Sequence, residues 1–229
     1  MTRTETPELI ETLAAGVAHE VRNPLNSLQI NLTILRQELA ELVPDPEAHV
    51  FAVLAKIAGE IKRLDDFVSE FLRFARPPRL HVERLAVGPL VSELTAFMTP
   101  EFAKKGVSLG SELSGPDVAP VDGFQLKQAI LNLVLNALQA TPAGGRVVVR
   151  TTGEKRRLVV AVSDDGEGMS PEIREKAMTP FFTTREGGTG LGLPLVQRIV
   201  GEHGGTIEVA SRAGQGTTVT MVFPVPAGS

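Results

Sequence analysis

The sequence predicts a fold that is multidomain α and α+β: a hairpin of two long helices, then an α/β sandwich with helices on one face of a mixed sheet. Three observations carry this. Leu25, Leu28, Leu32, Leu35, Leu39 and Leu42 recur at alternating spacings of three and four, a heptad-like stripe. Prolines at 44, 46, 77 and 78 divide the first third of the chain into two helical segments and then end the pattern. Beyond them, Val-rich runs alternate with helical stretches and glycine-containing turns.

The first helix is expected from about Pro7 to Leu42, with Leu9, Leu13 and Val17 extending its stripe upstream. Thr6 suits the N-cap, Pro7 the first helical position and Glu8 the first turn. Such a helix is on the order of 50 Å long. Pro44-Asp-Pro-Glu47 breaks it, and a second helix follows to Ala75 with Val50, Val53, Ile57, Ile61, Leu64, Val68 and Phe71 at helical spacing. Two long helices joined by a short turn make an antiparallel hairpin, which has no means of burying both stripes alone. Pairing with a second copy gives a dimeric four-helix bundle across a two-fold axis, so a homodimer is expected. The hairpin domain is placed at 1–76, a linker opened by Pro77-Pro78 at 77–84, and a second domain at 85–229.

In the second domain, helices are expected at Gly88–Lys104 and Asp122–Ala140. Val-rich strands at 146–152 and 157–163 pair around Gly153-Glu-Lys. A helix from Leu193 to His203 is closed by Gly204-Gly205, and 206–211 with 217–223 form a hairpin through Ala213-Gly-Gln-Gly216.

Composition narrows the function. The formal charge of −4 argues against nucleic acid, whose phosphates need clustered Lys and Arg. Lys62, Arg63, Arg73, Arg76, Arg79 and Arg84 are spread out, as on a solvated face. The chain has no Cys, which excludes disulfides, thiolate catalysis and Cys-bound metals, and fits a reducing compartment. No apolar run reaches the roughly 20 residues that span a bilayer, and the first residues lack the apolar core of a signal peptide. A cytoplasmic protein without membrane contact is expected, or the cytoplasmic part of a membrane-anchored one.

Four short runs carry chemistry. Asp164-Asp-Gly-Glu-Gly168 stands where a Val-rich strand ends. A carboxylate there suits the exocyclic amine of adenine, and the glycines let backbone approach a flat ring; alone, the run reads more readily as a turn. Gly188-Thr-Gly-Leu-Gly192 precedes a helix, where amides cradle phosphates. It is neither a dinucleotide fingerprint, since no strand leads into it, nor a Walker loop, since no Gly-Lys-Ser/Thr follows. Asn132 and Asn136 lie one helical turn apart, and their amide oxygens suit Mg²⁺. His19, in Gly16-Val-Ala-His-Glu-Val-Arg-Asn-Pro-Leu25, supplies a nucleophile. Pro24, five residues on, removes one helical hydrogen bond and predicts a bend. The other histidines have plain explanations: His49 by the turn, His81 in the linker, and His203 at a helix end, where partial positive charge suits the dipole.

In this order the runs resemble the catalytic core of a sensor histidine kinase: a HisKA-type dimerisation and phosphotransfer hairpin plus a Bergerat/GHKL ATP-binding domain. His19–Leu25 resembles the H box, Asn132–Ala137 the N box, Asp164–Gly168 the G1 box, Pro180–Arg185 the F box, Gly188–Gly192 the G2 box and Gly214–Gly216 the terminal glycine box. The Phe-Phe-Thr-Thr wording is similar to the nitrogen-regulation-like subgroup.

The resemblance implies autophosphorylation of His19 by ATP, with Glu20 as base and Asn23 serving dephosphorylation of the partner, so that phosphatase activity accompanies the kinase. It implies transfer to an aspartate on a response-regulator receiver domain. Asp164, Gly166 and Gly168 would hold adenine, with Thr217 beside them. Asn132 would lie by the phosphates and Asn136 on Mg²⁺. Residues from about Met169 to Thr189, Thr184 among them, would form a lid over ATP, and Gly188, Thr189, Gly190, Leu191 and Gly192 would meet the phosphates. Arg185 stands where many relatives carry Lys. Two other readings are a GHKL-type ATPase and a non-catalytic phosphotransfer or scaffold dimer. The ATPases carry Glu where this chain has Asn132, and the intact glycine runs speak against a degenerate site.

Overall fold

The computed structural model describes residues 5–43, 49–75, 79–115, 117–154, 156–185 and 188–226, with side chains from residue 21 onward except at 73 and 74. The chain forms two compact units: Met1–Pro78 with Arg185–Thr189, and Arg79–Thr184 with Gly190–Ser229.

The first unit holds α1 (Glu5–Leu42) and α2 (His49–Ala75), packed on one another. Thr6 is itself helical, after Glu5 in α1, so it is not the N-cap that the sequence suggested. The helix runs through Pro24 as one element. The Pro44–Glu47 break falls outside the described residues.

The leucine stripe of α1 resolves into two ladders. Leu25 is buried and Leu32 and Leu39 are half-buried, each seven residues from the next. Val21, Leu28, Leu35 and Leu42, also seven apart, are exposed. α2 divides likewise: Leu54, Ile61 and Val68 are buried, while Ile57 and Leu64 face outward. One seam closes the hairpin and the other stays uncovered on the single chain. Arg22 ties the helices, its Nε 3.3 Å from Asp65 Oδ1 and its Nη2 donating to Ser69 Oγ at 2.9 Å.

The second unit contains, in chain order, β1 (Glu83–Ala86), α3 (Val87–Lys104), β2 (Ser108–Ser114), β3 (Val118–Val121), α4 (Gly123–Ala140), β4 (Arg146–Glu154), β5 (Arg157–Asp164), α5 (Pro171–Lys176), α6 (Gly192–Glu202), β6 (Thr206–Ser211) and β7 (Thr217–Pro224). A five-stranded sheet runs β2-β4-β5-β7-β6, parallel between β2 and β4 and antiparallel elsewhere. A small antiparallel pair joins β1 to β3, so Glu83 and Arg84, inside the stretch read as linker, begin a strand.

Strand alternation builds the core. Leu158, Val160 and Val162 of β5 stand opposite Phe223, Met221 and Val219 of β7, and all six are buried. Phe102 of α3, Leu126 and Ile130 of α4 and Ile199 of α6 supply the helical side of that core. One face of a mixed sheet is therefore covered by helices, as the sequence predicted.

Candidate functional site

α4 positions the two asparagines. Its N-cap is Asp122, whose Oδ1 accepts from Gln125 N at 3.0 Å. Ala129, Ile130, Leu133, Val134 and Ala137 are buried, which leaves Asn132 and Asn136 half-buried, off the core-facing side. They project from the same face, one turn apart.

The loop after β5 is stitched at both ends. Asp164 Oδ1 accepts from Gly166 N at 3.0 Å and from Thr217 N, the first residue of β7, at 3.2 Å. Asp165 is turned elsewhere: its Oδ1 accepts from Arg146 N at 2.8 Å and anchors the start of β4. Glu167 N donates to Ala140 O at 3.2 Å, fastening the loop to the end of α4. Glu167 O in turn accepts from Gly214 N at 2.6 Å, in the β6–β7 turn.

The glycines of this loop are required by contact. Gly168 has φ +64°, and a Cβ there would collide with the carbonyl of Arg212. Gly216 has φ +76°, and its Cβ would strike the carbonyl of Asp164. At Gly166 a Cβ would come 2.6 Å from Ala140 O. Only glycine lets these three backbones meet. The structure thus brings Asp164, Gly166, Gly168 and Thr217 together beside the last turn of the helix that carries Asn132 and Asn136.

Ser211 belongs to the same cluster and was missed from sequence. Its Oγ accepts from Met169 N at 2.9 Å, donates to Gly216 O at 3.0 Å and lies 2.9 Å from Thr217 Oγ1. A serine has one hydrogen, so the Thr217 hydroxyl supplies that last bond. The available signal was a serine ending a strand just before a glycine turn.

The loop from Phe181 to Gly190 has a closed root. Phe181 N donates to Gly190 O at 3.1 Å. Phe181 adopts φ +66°, a left-handed conformation unusual for an aromatic residue, and a Cβ on Gly190 would come 2.5 Å from the Phe181 carbonyl carbon. Thr184 is exposed, while Leu191 is fully buried ahead of α6 and Gly192 begins that helix. Arg185, Gly188 and Thr189 group with the first unit and not with the Asp164 cluster. Of the acceptor region, Asn23 is exposed on α1, whereas the side chains of His19 and Glu20 lie outside the described residues.

His203 departs from the expectation of a charged helix end. Its Nε2 accepts the backbone N–H of Asp122 at 2.9 Å, and Nδ1 stands 2.7 Å from Ile199 O. An N–H only donates and a carbonyl only accepts, so in this geometry the ring is neutral, with its hydrogen on Nδ1.

Comparison with known proteins agrees with this layout. Residues 9–79 match the His Kinase A (phospho-acceptor) domain, and residues 121–227 match the Histidine kinase-, DNA gyrase B-, and HSP90-like ATPase family. The chain is 39% identical over 218 residues to the Sensor histidine kinase ZraS of Klebsiella oxytoca, a span of 93% of this chain and 46% of that protein. Among solved structures, full-length ShkA in complex with AMPPNP superposes with TM-score 0.77 at 25% identity, covering 95% of this chain and 47% of that one. Histidine kinase ThkA in complex with the response regulator protein TrrA gives TM-score 0.70 at 26% identity, over 99% of this chain and 65% of that one. The chain spans about half the length of the curated relatives it matches. A phospho-acceptor hairpin followed by an ATPase-type domain, both with sensor-kinase relatives, makes this chain a member of the histidine kinase family, as its catalytic core.

Proposed function

We propose that this chain binds ATP with Mg²⁺ in its second domain and autophosphorylates His19, then passes the phosphoryl group to an aspartate on a response-regulator receiver domain. The carrying observation is the union, in one chain, of the phospho-acceptor match over His19 with the glycine-closed loop at Asp164. The complexes of ShkA with AMPPNP and of ThkA with a response regulator support the same nucleotide and partner classes for this chain. In this reading the domains are 1–76, a linker at 77–84 and 85–229, working in the cytoplasm as a homodimer. Among the described residues, no helix is long and apolar enough to cross a membrane.

The residues fit the nucleotide. Two N–H donors on Asp164 Oδ1 fix the carboxylate in place, ready to accept from the adenine amine. Asn132 and Asn136 face the phosphates, and the amides of Gly188–Gly192 receive negative charge ahead of α6. Among the described residues no three His, Cys, Asp or Glu side chains gather as a metal site. Asn136, through its amide oxygen, would hold Mg²⁺ together with the ATP phosphates, and the ion would supply neutralisation of charge on the transferring phosphoryl group.

In the transfer, a lone pair on a His19 ring nitrogen forms the N–P bond as the bond from γ-phosphorus to the bridging oxygen breaks, and ADP leaves with that electron pair. Glu20 keeps the attacking nitrogen unprotonated; imidazole's pKa near 6.5 leaves it little to do. The rest of catalysis is positioning and charge neutralisation. Asn23 serves the reverse flow, helping water remove phosphate from the partner. Thr184, Arg185 and Thr189 close over ATP from the lid, and Phe181–Thr184 supports the nitrogen-regulation-like subgroup.

Incubation with γ-labelled ATP and Mg²⁺ tests this. Acid-labile, base-stable label on the native chain and none on His19→Ala is expected. Label that survives in the variant overturns His19 as acceptor.

A further inference from the structure

Asp122 and His203 join two helices at one end. α4 leaves this junction by its N-terminus, and α6 arrives at it by its C-terminus, where His203 is the cap residue. The helices pack on one another, so they run antiparallel from the junction. Further along them lie the nucleotide-directed groups: Asn132 and Asn136 in the second half of α4, and Gly190–Gly192 at the start of α6. At about 1.5 Å per residue, both lie on the order of 15 Å from the junction.

The junction is held by several contacts at once. The Asp122 N–H donates to His203 Nε2 at 2.9 Å, and His203 Nδ1 is held 2.7 Å from Ile199 O. Phe223 of β7 meets the imidazole edge-on, centroids 5.7 Å apart. The Asp122 carboxylate is engaged as well: Oδ1 caps α4 through Gln125, and Oδ2 accepts from His81 N at 2.8 Å. One buried residue therefore links the segment before β1, the start of α4 and the end of α6. A simple helix stop needs none of this, since Gly204 with φ +68° already ends α6.

We propose that His203, in its neutral Nδ1–H form, is a positioning residue for ATP. By accepting from Asp122 it fixes the spacing of α4 and α6, and with it the distance from Asn132 and Asn136 to the glycine run that receives the phosphates. The inference rests on the reading of those groups as the nucleotide site. Helices are stiff, so a tilt released at the pinned end appears as displacement at the other.

The experiment compares the native full chain with His203→Gln, His203→Asn and His203→Leu. Glutamine places an acceptor near the Nε2 position; asparagine reaches only the Ile199 side; leucine fills space alone. Affinity for a non-hydrolysable ATP analogue with Mg²⁺ is measured by calorimetry, and autophosphorylation is followed against ATP concentration. Expected are a Kd and KM for ATP raised about tenfold in the Leu and Asn variants, a kcat near native, and recovery to within about threefold in the Gln variant. Should the Leu variant fail to fold, Gln against Asn decides alone. Equal affinities in those two, or a folded Leu variant that binds as the native chain does, overturn the proposal. A native chain that binds no analogue at all overturns the nucleotide reading itself, and this inference with it.

Discussion

The carbonyl of Arg212 occupies the space in which a side chain on Gly168 would begin. The loop after β5 and the turn between β6 and β7 thus close on one another through bare backbone. At both Gly168 and Gly216, positive φ and a backbone obstacle coincide. Gly214 also has positive φ, +72°, yet open space surrounds it.

These three glycines should therefore rank by obstacle, not by conformation. Gly214→Ala meets only the left-handed backbone cost, about 1 kcal/mol. Gly168→Ala and Gly216→Ala add a collision that no rotamer relieves, and each should cost more than about 3 kcal/mol. Thermal denaturation of the three variants, with nucleotide titration, checks the order. A Gly168→Ala protein as stable as Gly214→Ala would contradict it.

Asp164→Asn should separate folding from recognition. The amide oxygen still accepts from Gly166 and Thr217, so Tm should stay close to native, but the side chain loses its charge and half its acceptor capacity. ATP affinity is expected to fall by about 2 kcal/mol, near thirtyfold. Calorimetry with ATP and with GTP reads the effect; unchanged ATP affinity would remove Asp164 from adenine recognition.

Acid should loosen the second unit through Asp122. Burial pushes its carboxyl up, but backbone N–H groups of Gln125, His81 and Phe124 together bring it below the ordinary value. A carboxyl depressed in the folded state contributes stability that is fully present above its unfolded value, about 3.9, and is lost as pH falls through the lower folded value. Denaturation between about pH 5 and pH 2 should show this loss. In Asp122→Asn the same window should be flatter, and the native protein should keep the steeper slope.

The hairpin should associate through its uncovered ladder. Light scattering at micromolar concentration should return twice the chain mass, and Leu28→Glu with Leu35→Glu should return it to the single mass. The Arg22–Asp65 contact is partly exposed, 36% for each side chain, so solvent screens it. Its coupling in a double-mutant cycle should be within about 1 kcal/mol.

Much of this was legible in the sequence where periodicity is long. α1, α2 and α4 carry apolar residues on one face over many turns, and their ends fell within a few residues of the observed ones. β1, β2 and β3 were not read. Ser108–Ser114 holds two leucines among small and polar residues, and it is ordered by parallel pairing with β4, a contact no local pattern encodes. β3 contains Pro120, which argues against a strand unless it lies at an edge, as it does in the small β1–β3 pair. α5 is only six residues, though Ser170-Pro171 gave a start signal that its length obscured.

The site divides in the same way. Asp164, Gly166 and Gly168 could be found because the proposed adenine contact calls for those residue types. Ala140 contributes only a carbonyl and Ser211 only a hydroxyl at a strand end, so neither leaves a signature. His203 was visible, but its tautomer follows from a partner 81 positions away.

The two leucine ladders of α1 have a mechanical consequence. Leu25, Leu32 and Leu39 face inward while Leu28, Leu35 and Leu42 face outward, offset by three residues, or about 60° around the axis. They are cut into the same rod. In the proposed homodimer the outer row meets the second copy, so turning α1 to tighten one row would draw the other out of mesh, as on a camshaft with two rows of teeth. A torque applied to α1 would then reach both rows at once, and the residues around Asn23 would ride on that shaft.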